Sequence, residues 1–370
     1  MRRKLKKMQP NHPLRLMTSS AARLLALLLL MLPGAMEAQL TYTDNGNGTA
    51  TITYPSCLSG AGSIPATING LRVTSIGVSA FYSCTSITSL TIGTNVASIG
   101  SGAFNRCTSM TSVTMPGSLT NIGSYAFEYC SGLTNVTIPN SVTTIGTNAF
   151  FYCTRMTSVT IGTNVTSIRD EAFYECGLTG VYFSGNAPSA GLDVFSSNEY
   201  NTIAYHVLGT TGWGSHFGGL LTAFWDPLSQ LGFTTNNNNI TIYKYLGSGG
   251  AVNIPSAFNS LAVTRIGTNA FFECAAVTSV IIPNSVTSIG ADAFADCTAL
   301  TSVTPLNSVT NIETEAFLQC NNLTNVTIGN SVSSIMANTF FDCSNLTGIT
   351  IGNNVSSIAA DAFYGCASLN

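Results

Sequence analysis

Apolar residues return along this chain on a fixed beat. Counting from Cys130, they stand three, six and eight places on, at Leu133, Val136 and Ile138, and then at Val142 and Ile145. An Ala149-Phe150 pair then leads into the next cysteine, Cys153. One unit earlier the same columns hold Met110, Val113, Met115, Leu119, Ile122 and Phe127; one unit later they hold Met156, Val159, Ile161, Val165, Ile168 and Phe173. The cysteines mark the period. Cys84, Cys107, Cys130, Cys153 and Cys176, and again Cys274, Cys297, Cys320, Cys343 and Cys366, are each 23 residues apart, and only Cys57 falls outside the series. A fixed period of this size is the signature of a stacked-repeat architecture.

Within a unit, apolar positions six and eight flank an outward polar residue, the alternation of a short β-strand. Gly93, Pro116, Pro139 and Gly162 close these strands. A second extended piece follows, as at residues 141–145. The Ala-Phe-x-x-Cys segment is too short for a stable isolated helix and predicts a helical turn on the far side. One coil cannot bury its own apolar face, so stacked coils must share a core.

Units such as the one from Cys130 to Phe150, Cys-Ser-Gly-Leu-Thr-Asn-Val-Thr-Ile-Pro-Asn-Ser-Val-Thr-Thr-Ile-Gly-Thr-Asn-Ala-Phe, resemble the BspA-like leucine-rich repeats of bacterial surface proteins. The resemblance covers nearly all of residues 40–370. It implies a leucine-rich-repeat solenoid, a curved right-handed superhelix of parallel β-strands and short helical turns. It further implies a secreted or surface location and a role in adhesion or protein binding.

The repeats form two consecutive blocks. Residues 64–84 and 254–274 match at an offset of 190, with 11 of 21 positions identical. Upstream of each lies a hairpin signal: residues 49–54 follow Asn45-Gly46-Asn47-Gly48, and residues 240–245 follow four asparagines. After Cys176 one residue is missing from the beat and the pattern dissolves, so the stretch containing Trp213 and Trp225 reads as a closing cap. The expected organisation is a signal peptide at 1–38, a first capped solenoid at 39–226, a Pro- and Asn-containing linker at 227–239 and a second solenoid at 240–370. The second block stops at Leu369-Asn370, inside a further coil, which predicts a longer protein.

The leader reading rests on a basic stretch, the apolar run at 24–32 and Ala38 before Gln39. The run is too short for a transmembrane helix, which needs about 20 residues. Met17 would start a leader of ordinary length. Seven of the 13 Lys and Arg residues precede residue 39, whereas only one of the 16 acids does, so the remaining body is acidic. Such a body repels phosphate backbones and argues against nucleic acid as a partner. Charged residues make up only 8% of the chain; Thr, Ser, Asn and Gly supply the polar surface.

No catalytic, cofactor-binding or metal-binding constellation stands out, and the sequence calls for no enzyme and no cofactor. The ten in-register cysteines lack Cys-x-x-Cys pairing. Equivalent positions in neighbouring coils would hold parallel Cβ atoms too far apart for disulfides, so the ten read as buried free thiols. Residues 44–48 lack the later acids of a calcium loop and read as a turn. Trp213 reads as a packing element of the cap, and His206 and His216 flank it with no nucleophile or carboxylate arrangement beside them. Sequons at Asn135, Asn164, Asn325 and Asn345 follow from the repeat itself.

The outward strand columns remain as candidate binding residues: Ser89, Ser112, Asn135 and Ser158, beside Thr91, Thr114, Thr137 and Thr160. Thr favours strands in any case, but these rows also make a flat, uncharged, hydroxyl-rich face. The leading expectation is a secreted or surface module that binds an extracellular protein or a host or matrix macromolecule through the solenoid surface. The competing expectations are a recognition or spacer arm for a catalytic or anchoring domain beyond residue 370, and ice or crystal binding by the threonine rows.

Overall fold

The computed structural model describes residues 40–54, 57–199 and 201–369; the leader read at 1–38 lies outside them. The chain winds into a parallel β-solenoid in which strands pair with their counterparts one repeat on. Val136 pairs with Val159 and Ile145 with Ile168, both at an offset of 23 residues. Each repeat contributes one strand to the position-six face, such as Asn135–Thr137. A two-residue strand on the next face follows, such as Thr144–Ile145.

The segment between this second strand and the next cysteine is not helical, contrary to the helical turn expected from its sequence. Asn148 and Tyr152 both adopt left-handed backbone, with φ of 54° and 61°. Two such residues, four apart, break the chain into successive tight turns. Amide donors then alternate in direction. Ala149, Phe151 and Cys153 donate within the coil, to the carbonyls of Gly146, Asn148 and Phe150. Asn148, Phe150 and Tyr152 donate to the next coil, to Asp170, Ala172 and Tyr174 at 2.8–3.0 Å. A helix would direct every donor inward along its own axis; here half of them bind the neighbouring coil. Coils approach closely at the Ile-Gly step that precedes this segment. A Cβ on Gly146 would sit 2.5 Å from the Ser124 backbone nitrogen.

The phenylalanine column forms the spine. Phe81, Phe104, Phe127, Phe150 and Phe173 are fully buried and stack at ring-centroid distances of 5.0–5.1 Å. Phe271, Phe294, Phe317 and Phe340 repeat the arrangement at 4.8–5.3 Å. Offset stacking at this spacing adds about 0.5–1.5 kcal/mol per pair beyond area burial.

The cysteine column has a structural task that packing alone does not describe. The Cys130 thiol donates to the Phe104 carbonyl at 3.1 Å, Cys153 to Phe127 at 3.3 Å and Cys320 to Phe294 at 3.1 Å. Each of these carbonyls already accepts the amide of the cysteine in its own coil, for example Cys130 N to Phe127 O. Burial pushes Cys297 and Cys343 up to about 12, with Cys274 and Cys366 as the next causes. The expectation of ten free thiols needs one correction, because Cys84 is disulfide-bonded to Cys57 with a Cα–Cα distance of 5.3 Å. The parallel-Cβ argument applies to equivalent positions along the column. Cys57 is not one of these; it approaches from the segment after the N-terminal hairpin.

The hairpins are present at Thr41–Asp44 with Thr49–Thr53, and at Leu231–Asn236 with Asn239–Tyr245. Residues 44–48 form the first turn, where Asp44 Oδ1 accepts from the Gly46 amide at 2.8 Å.

Two readings of the middle of the chain are corrected. The pattern does not dissolve after Cys176: Gly180–Phe183 pairs in parallel with Ser158–Ile161, and Phe195 stacks on Phe173 at 5.6 Å. Asn198 stands where the next cysteine would, and its Nδ2 donates to the Phe173 carbonyl at 2.8 Å, replacing the thiol. The stretch read as a linker at 227–239 contains the strand Leu231–Asn236, in which Leu231 and Phe233 are buried. Its Pro and polar residues instead form two turns. One is closed by Gln230 N to Asp226 O at 2.8 Å, and the other uses the left-handed Asn237 and Asn238. One hydrogen-bonded sheet therefore runs across the junction, through Leu220–Asp226, Leu231–Asn236 and Asn239–Tyr245. The apolar core is nevertheless divided into two clusters, one from Leu40 to Phe217 and one from Leu231 onward.

Two outcomes test this architecture. Phe127→Ala should lower the unfolding free energy by about 3–5 kcal/mol; a loss under about 1 kcal/mol in urea titration would place that ring outside the core. Thiol titration of the unreduced protein in denaturant should count nine reactive thiols, and far fewer in buffer.

Candidate binding sites

The solenoid places all eight sequence candidates on one strand face. Ser89 pairs with Ser112 and Thr91 with Thr114; Asn135 pairs with Ser158 and Thr137 with Thr160. Thr91, Ser112, Thr114, Asn135 and Thr137 are exposed, while Ser89, Ser158 and Thr160 are half-buried. The cause is the two-residue period of a strand: the intervening Leu90, Val136 and Val159 point into the core. Asn135 Oδ1 accepts from Ser158 Oγ at 2.6 Å and so ties two coils together.

Neighbouring threonine rows do different work. Thr111 Oγ1 donates to the Thr88 carbonyl at 2.9 Å and Thr120 Oγ1 to the Ala97 carbonyl at 3.0 Å. These hydroxyls bind the coil beneath and belong to the stack.

The Thr137–Thr160 column continues into Tyr182 and Tyr205, which the sequence reading missed. The residue deleted after Cys176 shifts Tyr182 out of the 23-residue count, so no column in the sequence contains it. Tyr182 and Tyr205 stack at 5.0 Å, and Trp225 lies 4.9 Å from Tyr182. Burial, with Tyr205 beside it, pushes the Tyr182 hydroxyl up to about 12.

The turn edge differs between the blocks. In the first it carries the partly exposed rings of Tyr125 and Tyr152, with Tyr129 5.2 Å from Tyr152 and the Arg106 guanidinium 5.1 Å above Tyr129. In the second the same edge positions hold mostly acids and amides, among them Glu273, Asp292, Asp296 and Glu315. Burial first, and then Glu315 and Asp296, hold the Asp292 carboxyl above its ordinary range. These positions vary from coil to coil and lack the repetition that marks the core.

The third feature is a cavity of about 500 Å³ at the junction of the blocks. His206 pairs with Phe183 and Phe224, and so occupies a core row otherwise filled by residues such as Ile138 and Ile161. The imidazole is 6% exposed, parallel to Trp213 at 4.6 Å and tilted against Phe224 at 4.7 Å. The loop carrying Trp213 is tied down by Thr222 Oγ1 donating to the Gly214 carbonyl and by Thr211 N donating to Asn186 Oδ1 at 2.9 Å. The packing role read for Trp213 describes its ring contacts but not the cavity beside it.

Residues 74–202 and 253–370 match the model of the BspA type leucine rich repeat region, in six copies. The chain belongs to the BspA type leucine-rich-repeat family. Such a solenoid is a repeat scaffold of the kind that binds proteins. Among solved structures, the chain is similar to a leucine rich cell surface protein from Faecalibacterium prausnitzii A2-165. The two are 27% identical, with 90% of this chain and 92% of that one covered, at a TM-score of 0.39. A leucine-rich repeat protein from Bacteroides ovatus ATCC 8483 is 23% identical over 90% and 92%, at a TM-score of 0.37. No curated protein matches the chain. Among the described residues, no helix is long and apolar enough to cross a membrane.

His206 gives the stability of this BspA-type solenoid a pH dependence with a defined sign. Burial lowers its pKa from the ordinary 6.5. The folded state then binds fewer protons than the unfolded state once pH falls through 6.5, so stability declines from there down to the folded-state pKa and then levels off. Urea midpoints measured between pH 7.5 and 5 should fall more steeply for the wild type than for His206→Phe. Parallel slopes would show that the imidazole is not held neutral by burial.

Proposed function

We propose that this chain is a secreted or cell-surface binding module, an adhesin-like scaffold that recognises an extracellular protein or another host or matrix macromolecule. It acts by binding and not by catalysis. The observation that carries this reading is the outward strand row in which Thr91 pairs with Thr114 and Thr137 with Thr160, with Thr91, Thr114 and Thr137 exposed beside Ser112 and Asn135. Stacked coils make such a row rigid and extended, so little conformational entropy is lost when a partner docks on it. Family membership supports the same reading, since solenoids offer extended surfaces to macromolecules.

The test uses the protein against immobilised extracellular-matrix proteins and host-cell surfaces. The double variant Thr114→Arg, Thr137→Arg places two large charges at the centre of the row without touching the core. Binding by surface plasmon resonance should drop at least about tenfold, since unmatched charges in an interface cost more than 1.4 kcal/mol. Unchanged binding by this variant, with an unchanged melting temperature, would move the site elsewhere.

A further inference from the structure

The junction cavity has a lining unlike the apolar rows of the stack. A continuous stack would place apolar side chains here, as it does at Ile138, Ile161 and Phe183 in the same row. Instead the row holds His206 between Phe183 and Phe224, and a space of about 500 Å³ lies beside it. That volume falls within the usual range for small-molecule sites, roughly 300–1,000 Å³.

Its chemistry is uniform. Trp213, His206, Phe224 and Phe233 supply aromatic surface, and Thr210, Thr211, Thr222, Thr234 and Thr235 supply hydroxyls; no lining residue carries a carboxylate, ammonium or guanidinium. Two groups are poised for a ligand. The Trp213 indole nitrogen is buried and has no acceptor within the protein, which leaves a donor unsatisfied at a cost in stability. His206 Nδ1 lies 3.3 Å from Thr210 Oγ1, and that hydroxyl donates to the Val207 carbonyl at 2.6 Å. The Thr210 oxygen therefore accepts the Nδ1 proton, which leaves Nε2 of the neutral ring as an acceptor.

We propose that this cavity is a binding site for one uncharged sugar ring of a glycan, held by the Trp213 indole N–H, the His206 imidazole and the threonine hydroxyls, with its C–H groups against the edges of the aromatic lining that the His206–Trp213 and Phe224–Phe233 stacks leave uncovered. A phosphate or carboxylate would lose its hydration with no cation in the lining to replace it. A wholly apolar ligand would bury the hydroxyls and the indole N–H without partners. A sugar offers both a ring of donors and acceptors and an apolar face. The tethered Trp213 loop keeps the site formed before the ligand arrives, which lowers the entropy cost of binding. This site is separate from the strand face, so either can fail without the other.

The experiment is a ¹⁵N-NMR titration of the indole resonances with methyl glycosides of neutral hexoses and N-acetylhexosamines. A sialoside and a Ser/Thr/Asn-rich peptide serve as comparisons. The Trp213 indole N–H, assigned through Trp213→Phe, should shift with at least one neutral glycoside. The double variant Thr234→Val, Thr235→Val changes only exposed residues and should weaken that binding at least about fivefold, as expected for lost hydrogen bonds of about 1 kcal/mol. Thr114→Arg, Thr137→Arg should leave it unchanged. The proposal is overturned if no neutral glycoside shifts the Trp213 resonance at tens of millimolar, if the sialoside or the peptide binds there in preference, or if the double valine variant binds as the wild type does.

Discussion

A single coil of this protein cannot satisfy its own backbone, and the rest of the structure depends on that constraint. On the turn side every second amide looks to the next coil, as Phe150 does to Ala172 and Tyr152 to Tyr174. On the strand sides the ladders do the same, residue for residue at an offset of 23. A coil that slipped by one residue would lose both sets of bonds and turn its apolar row outward. The repeat length is thus tied to backbone hydrogen bonding as well as to hydrophobic burial.

Once that register holds, each column acquires a fixed environment. The phenylalanines stack because equivalent side chains are about one strand spacing apart. The cysteines lie where a small, weakly donating side chain can reach the preceding phenylalanine carbonyl. Asn198 shows what that position requires: with no thiol available, an amide N–H makes the same bond. The thiols are consequently buried and poorly ionised, which suits a structural role and opposes redox chemistry. The first coil departs from this scheme, since Cys84 is joined to Cys57 instead.

The proposed binding surfaces lie where the columns are largely free of these duties. The outward strand row of the first block is largely exposed, and the turn edge varies from coil to coil, from tyrosines to acids and amides. The junction is different again. There the sheet continues through an antiparallel meander, and the apolar row gives way to His206 beside a cavity lined by aromatic rings and hydroxyls. A scaffold that changes strand direction there has no neighbouring coil of standard shape to fill the inside, and a cavity is the geometric result.

By itself the sequence determined the coil length, the strand positions, the buried columns and the hairpins before each block. All of these are one-dimensional: a 23-residue count and a two-residue alternation specify them, and the eight strand-face residues follow from the same count. It did not determine what happens where the count fails. A single deleted residue after Cys176 concealed a further coil, with Tyr182 in the outward column and Phe195 in the spine. Pro227 and the asparagines looked like a linker because turn residues have the same composition whether or not the strands beside them pair. Only the tertiary structure decided that Leu231–Asn236 joins the sheet, that Cys57 meets Cys84, and that His206 and Trp213 border a cavity. Each of these depends on contacts between segments that share no repeat position, and a repeating pattern carries no information about such contacts.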